Sequence, residues 1–258
     1  MGDAGRWAVY PSLKNRVVVV TGGASGIGES IVEAFARQDA QVVFLDVQDE
    51  VAEDLTRRLE AAGLRVPVYW HCELTDIEGL RRVVGEVVER FPRVDVLVNN
   101  AGNDTRHSVE DVSPEFWDKT IAVNLRHYFF MTQALAPAMR RAGAGSIVNM
   151  GSISWVIAGK NMPVYNTAKA AIVGLSRSFA HELGTDNIRV NCVMPGAVVT
   201  ERQRRLWFNE AYEARILASQ ALKKLIQPDE VARLILFLAA DDSSAITNQS
   251  YVIDAGWI

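Results

Sequence analysis

Tyr165-Asn166-Thr167-Ala168-Lys169 sets a phenol and an ammonium four residues apart, hence on one face of a helix. An unperturbed phenol, with a pKa near 10, is a poor base at neutral pH. A neighbouring cation favours the phenolate, so the pair reads as a general acid/base set. Ser152 lies just past the strand run Ser146-Met150 and can offer its hydroxyl to the same substrate oxygen. Tyr-x-x-x-Lys also arises often by chance; its position after a strand-end serine gives it weight.

A second set lies near the start. Thr21-Gly22-Gly23-Ala24-Ser25-Gly26-Ile27-Gly28 follows a run of four valines and opens a helical pattern. Glycines there let the backbone turn tightly and approach a pyrophosphate, which sits on unpaired N–H groups at the helix start. Asp46 closes the next apolar run, near the spacing expected of the acid that holds an adenosine ribose. A plain strand-terminating aspartate is the alternative. A carboxylate at that point would repel the 2′-phosphate of NADP, and no Arg or Lys lies in the turn or just after Asp46 to offset it. NAD is the expected cofactor.

Both sets need rigid elements to hold them. Short β-branched runs at Arg16-Val20, Gln41-Asp46, Val66-Cys72, Val94-Asn99, Ser146-Met150, Ile188-Met194 and Ser250-Asp254 read as strands, most of them apolar on both faces. Helices are expected at about 25–38, 50–62, 114–140, 163–184 and 228–240, and Ile77, Leu80, Val83, Val84, Val87, Val88 and Phe91 form one apolar helical stripe. The alternation predicts an α/β fold, a doubly wound parallel Rossmann-like sheet of about seven strands, with ligands at the strands' carboxyl ends. No linker or repeat divides residues 1–258, so one domain is expected. The stretch of about 200–227 interrupts the alternation and is expected to form a lid or substrate wall.

Composition narrows the partners. A net charge of −4, with basic residues in scattered pairs, leaves no stripe for a phosphate backbone, so nucleic acid is not expected. Cys72 and Cys192 lie far apart without a metal-binding pattern and read as buried free thiols; no metal site is expected. Met1-Arg6 lacks a signal-peptide core, and Arg6 stands where a myristoylation motif needs Ser or Thr. The longest fully apolar run, Leu234-Ala240, is far short of the roughly 20 residues that span a bilayer. The expectation is a cytoplasmic protein with a small-molecule substrate and no membrane partner.

At these positions the chain resembles the short-chain dehydrogenase/reductase family over essentially its whole length. The resemblance rests on the glycine-rich turn, Asn99-Asn100-Ala101-Gly102, Asn124, Ser152, Tyr165, Lys169, and Pro195-Gly196 with Thr200. It implies that Tyr165 is the acid/base, Ser152 its partner, Lys169 a ribose ligand, and Asn124 the holder of a water in the proton path. Asn124 is otherwise an odd mid-helix choice. It further implies cofactor contacts by Gly22, Ser25, Gly26, Ile27, Gly28, Asp46, Glu73, Leu74, Asn100, Ala101, Gly102, Tyr165, Lys169, Pro195, Gly196, Val198 and Thr200, with Asn100 and Val198 at the nicotinamide. Glu73-Leu74 departs from the family's usual Asp-aliphatic pair, and Asp254-Ala255-Gly256 from its Asp-Gly-Gly.

Tyr10-Lys14, Asn99-His107, Gly151-Trp155 and Asp254-Trp257 resemble the bacterial aldose 1-dehydrogenases of that family, which implies oxidation of a sugar, D-xylose first, to its lactone. A sugar pocket needs an apolar platform and polar partners for hydroxyls. Trp155 is the expected platform, Asn103, Ser154 and Gln203 the hydroxyl partners beside Ser152 and Tyr165, and Trp257 the closing wall. Each has a plainer alternative: Trp155 and Trp257 as core or interface aromatics, Gln203 as an exposed side chain. His107, without a cluster around it, reads as structural. The rival substrates are L-arabinose, L-fucose, or a 3-oxoacyl or steroid carbonyl; a silent nucleotide-sensing protein on the same fold is the rival class. Ala168, Ala171, Ile172, Leu175 and Phe179 mark a face of helix 163–184 that reads as exposed, and the resemblance implies pairing there into a homotetramer.

Overall fold

The four valines show how the sheet is covered. In β1 (Val17–Thr21), Val18 and Val20 enter the cluster packed under one layer of helices, while Val19 enters the cluster under the other. Side chains alternate along a strand, so an unbroken apolar run requires protein on both faces. A computed structural model describes residues 7–258; the Met1–Arg6 segment read above for targeting signals lies outside them.

β1, β2 (Gln41–Asp46), β3 (Val68–His71), β4 (Val96–Asn99), β5 (Gly145–Met150), β6 (Ile188–Pro195) and β7 (Ser250–Ile253) form one all-parallel sheet in the order 3-2-1-4-5-6-7. The expected doubly wound fold is therefore present. The order reverses between β1 and β4, which opens a crevice at their carboxyl ends, where such folds bind ligands. On one face α1 (Gly26–Arg37) and α9 (Pro228–Ala239) bury Ile31, Phe35, Val231 and Ile235. The expected stripe becomes α3 (Ile77–Arg90), with Leu80, Val84 and Val87 in the opposite core. α2 (Asp49–Ala61) follows β2.

Three expectations change. The single helix at 114–140 is α4 (Pro114–Ile121) and α5 (His127–Ala142), separated by a π-helical turn over Ala122–Arg126. Such turns recur at functional sites. The cause is Asn124: its amide donates to the Thr120 carbonyl (3.0 Å), while its oxygen is spent on the Asn103 backbone. Second, Ala168 and Ile172 of α6 (Pro163–Leu183) are fully buried rather than exposed, and Ala171, Leu175 and Phe179 are partly buried; the exposed residues of the helix are Thr167, Gly174, Arg177, Ser178, His181 and Glu182. Third, the 200–227 stretch holds α7 (Glu201–Leu206) and α8 (Glu210–Ser219), and Val198 forms a bridge with Ile226. Both cysteines are buried and free. No helix among the described residues is long and apolar enough to cross a membrane.

Candidate active site

One cleft of about 1370 Å³ runs along the carboxyl ends of the strands. That exceeds the roughly 300–1,000 Å³ of single-ligand pockets and leaves room for a dinucleotide and a second small molecule. All the expected cofactor residues line it.

At its nucleotide end, Gly22 adopts a left-handed φ of +65°, and a Cβ on Gly28 would fall 1.8 Å from the Gly22 carbonyl oxygen. The turn thus needs glycine at both positions, and it hands its backbone to the start of α1, where N–H groups favour an anion. This cradle fits a pyrophosphate. Asp46, 6% exposed, ties the turn down. One carboxylate oxygen accepts the Ala24 N–H at 2.9 Å; the other accepts those of Val47 (2.8 Å) and Gln48 (3.1 Å). Asn100 is a clasp too: its side-chain amide donates to the Thr21 and Gly22 carbonyls at 3.1 and 3.0 Å. Glu73 folds back on Thr75 (2.9 Å to the N–H) beside buried Leu74. Gly196 donates to Ile253 (2.9 Å), while Thr200 caps α7 by accepting from Gln203.

At the chemical end, Ser152 ends the stretch after β5 and caps a short 3-10 turn, accepting from the Ser154 N–H at 3.1 Å. Tyr165 and Lys169 come from the first turns of α6 and face the same cleft. Lys169 is 3% exposed; its ammonium donates to the Met150 carbonyl (2.9 Å) and the Tyr128 hydroxyl (3.2 Å) and lies 5.6 Å from the Tyr165 ring centre. Burial lowers Lys169 to about 8, opposed by Cys192 and Asp104. Burial and the Asp104 charge push Tyr165 above its ordinary value, with Ser152 and Arg106 pulling the other way. Lys169 alone therefore does not depress the phenol; more positive charge must gather beside it. Asn124 is wholly buried and off the cleft surface: its amide donates to the Asn103 carbonyl (3.0 Å) and its oxygen accepts the Asn103 N–H (2.8 Å), so the side chain pins that loop.

The substrate wall differs from expectation. Trp155 does not line the cleft and is 37% exposed. Its 3-10 turn sends Ile153 into the core and Ser154 to the cleft, leaving the third position outward. Trp207, just past α7, lines the cleft instead, with the Arg106 guanidinium 5.1 Å from its ring centre. Gln203 donates to Asp104 at 2.8 Å, and Arg202 reaches the Asn103 side-chain oxygen at 3.0 Å, joining α7 to the loop after β4. Asn103, Ser154, Gln203 and Trp257 all line the cleft. The hydroxyl oxygen of Ser154 and the indole nitrogen of Trp207 are buried without hydrogen-bond partners among the described residues. Asp104, Arg106 and Trp207 were not singled out in the sequence, although Asp104 sits in the Asn99-His107 segment and Trp207 in the stretch expected to form the wall. His107 is structural: it bonds the Thr105 carbonyl and accepts the Val164 N–H, holding the loop to α6.

A parallel sheet with this crevice, and a Ser-Tyr-Lys cluster at its end, define a nucleotide-dependent oxidoreductase fold. The family model described as enoyl-(acyl carrier protein) reductase matches residues 22–258. The chain belongs to the short-chain dehydrogenase/reductase family of oxidoreductases, which use NAD or NADP. It is 50% identical over 250 residues to D-xylose 1-dehydrogenase of Caulobacter vibrioides, covering 97% of this chain and 98% of that one. It is 47% identical to a "Probable galactose dehydrogenase" of Rhizobium meliloti, with 96% of each chain covered. Among solved structures, a candidate NAD(P)-dependent gluconate 5-dehydrogenase from Beutenbergia cavernae, with NADP bound at low occupancy, superposes with a TM-score of 0.89 at 33% identity, covering 95% of this chain and 98% of that one.

Proposed function

We propose that the chain oxidises the C1 hydroxyl of a cyclic aldose, D-xylose foremost, to the lactone with NAD. The observation that carries this reading is that Asp104, Gln203 and Trp207 line the same cleft as Ser152 and Tyr165. A carboxylate, an amide and an indole suit a ring with one face of C–H bonds and an edge of hydroxyls. The identity to a D-xylose 1-dehydrogenase points the same way.

Ser152 holds the C1 oxygen, and Tyr165 takes its proton as general base. Lys169 supports the phenolate and, as in the family pattern, the nicotinamide ribose. When bound, the oxidised nicotinamide supplies the hydride acceptor and the extra positive charge that favours the phenolate. As the proton leaves oxygen and the hydride leaves C1, the C1–O bond becomes the lactone carbonyl. An anomeric hydroxyl is more acidic than an ordinary alcohol, which eases the demand on Tyr165. The loop pinned by Asn124 carries Asn103 and Asp104 to the substrate. The 200–227 stretch, within a single domain, forms the substrate wall.

Asp46, flanked by Val47 and Gln48 without a basic neighbour along the chain, supports NAD over NADP. The buried free thiols of Cys72 and Cys192 support a cytoplasmic setting. The half-exposed Trp117 and Phe129 on α4 and α5 support self-association, and the family resemblance a homotetramer, readable by sedimentation. The chemistry is tested with methyl β-D-xylopyranoside, whose C1 hydroxyl is blocked. It should yield no NADH where D-xylose does; reduction of NAD by the glycoside would contradict C1 oxidation.

A further inference from the structure

We propose that Tyr128 is a positioning residue for this reaction: its hydroxyl accepts a hydrogen bond from the Lys169 ammonium and holds that charge against the Tyr165 ring. The inference rests on the Ser152-Tyr165-Lys169 reading above.

Tyr128 lies in the first turn of α5, directly after the π-helical turn, and is completely buried. Its ring packs with Ile153, Ile172, Cys192 and Met194. The hydroxyl lies 3.1 Å from the Met150 carbonyl and 3.3 Å from that of Ala101, so its single proton has a backbone acceptor. A lone pair then remains for the Lys169 nitrogen, 3.2 Å away. The ammonium lies at the hydroxyl edge of Tyr128, 5.4 Å from its ring centre, and 5.6 Å from the ring centre of Tyr165. Met150 and Tyr128 take two of its three protons, leaving one for the cleft. The opening above it is kept by Gly102, where a Cβ would approach the nitrogen to 3.4 Å. A buried ammonium needs such acceptors to stay charged. Tyr128 supplies one that carries no charge of its own.

The titratable groups facing this ammonium separate cleanly. His127, next to Tyr128 on α5, is held neutral by burial, its value lowered to about 3. Burial pushes the Cys192 thiol on β6 up to about 11 and the Tyr128 hydroxyl far above its ordinary value. Asp104 and Arg106 face the pair from the loop after β4. With the oxidised nicotinamide bound and its positive charge favouring the phenolate, Tyr165 sets the acid limb of activity. Lys169 remains as the group that discharges on the alkaline side.

The test is the pH profile of kcat/KM for D-xylose in wild type and Tyr128→Phe, which keeps the ring and removes only the acceptor. Losing one hydrogen bond to a buried charge should bring the alkaline limb down by about one pH unit, about tenfold in rate beyond it, with the acid limb unmoved. Superimposable profiles, or a uniform loss at every pH, would overturn the role. In wild type itself, the Lys169 ammonium followed by nitrogen NMR should titrate with the alkaline limb; titration elsewhere also overturns it. Full turnover by Tyr165→Phe would refute the base assignment and this inference with it. A dead Tyr165→Phe beside an unmoved Tyr128→Phe limb refutes only Tyr128.

Discussion

Replacing Asp46 by alanine should lower stability and loosen cofactor choice together, because one carboxylate serves both. In the structure it accepts three backbone N–H groups, and the Ala24 N–H has no other acceptor in view. Leaving that buried donor unpaired costs about 1–3 kcal/mol and frees the glycine-rich turn. The same carboxylate would meet the 2′-phosphate of NADP. Two like unit charges about 4 Å apart repel by roughly 4 kcal/mol at an effective dielectric near 20, and solvent brings this to about 2–4 kcal/mol. That is about 30- to 700-fold in the ratio of kcat/KM for NAD over NADP. Wild type should prefer NAD by at least this margin, and Asp46→Ala should erase most of it while raising the NAD KM. Asp46→Asn should not restore all three bonds, since its NH2 group would face either the Ala24 N–H or those of Val47 and Gln48. Initial rates with both cofactors decide the matter. A wild type that prefers NADP, or an unchanged ratio in Asp46→Ala, would refute the charge reasoning.

Tyr165→Phe should cut kcat by about 10²–10⁴-fold while leaving the NAD KM near its wild-type value, measured by steady-state kinetics. Trp207→Ala should raise the sugar KM about tenfold with little change for NAD, whereas Trp155→Ala, off the cleft, should leave both within about twofold. Gly28→Ala places a methyl group 1.8 Å from the Gly22 carbonyl oxygen and should abolish NAD binding by calorimetry, since the turn cannot hold its shape.

The sheet, the glycine-rich turn and the Tyr165-Lys169 pair were legible because each is a local pattern: alternation, a turn chemistry, a helical spacing. What escaped depends on contacts between distant segments. The Lys169 ammonium is held by the Met150 carbonyl and by Tyr128, 41 residues away, and no spacing rule links a buried phenol to a lysine on another helix. The π-helical turn was hidden because 114–140 is uniformly helical in composition; the oddity of Asn124 within it was the only signal. Trp155 looked like a platform because it stands three residues past Ser152. A 3-10 turn, at three residues per turn, instead puts Ser154 rather than Trp155 on the cleft. Ala255 takes a left-handed φ of +59°, the conformation that the family's usual glycine accepts without strain.

Whether the chain is an aldose dehydrogenase is decided by NADH absorbance with purified protein and NAD across D-xylose, L-arabinose, D-galactose and D-glucose, and with NADH and a hydrophobic ketone in reverse. NADH should form fastest with D-xylose. It should form more slowly with L-arabinose and D-galactose, whose inverted C4 hydroxyl leaves a pocket group unpaired at about 1–3 kcal/mol, and more slowly with D-glucose, whose added hydroxymethyl group must also be housed. No turnover of any aldose, alongside clear reduction of the ketone, would contradict the aldose reading.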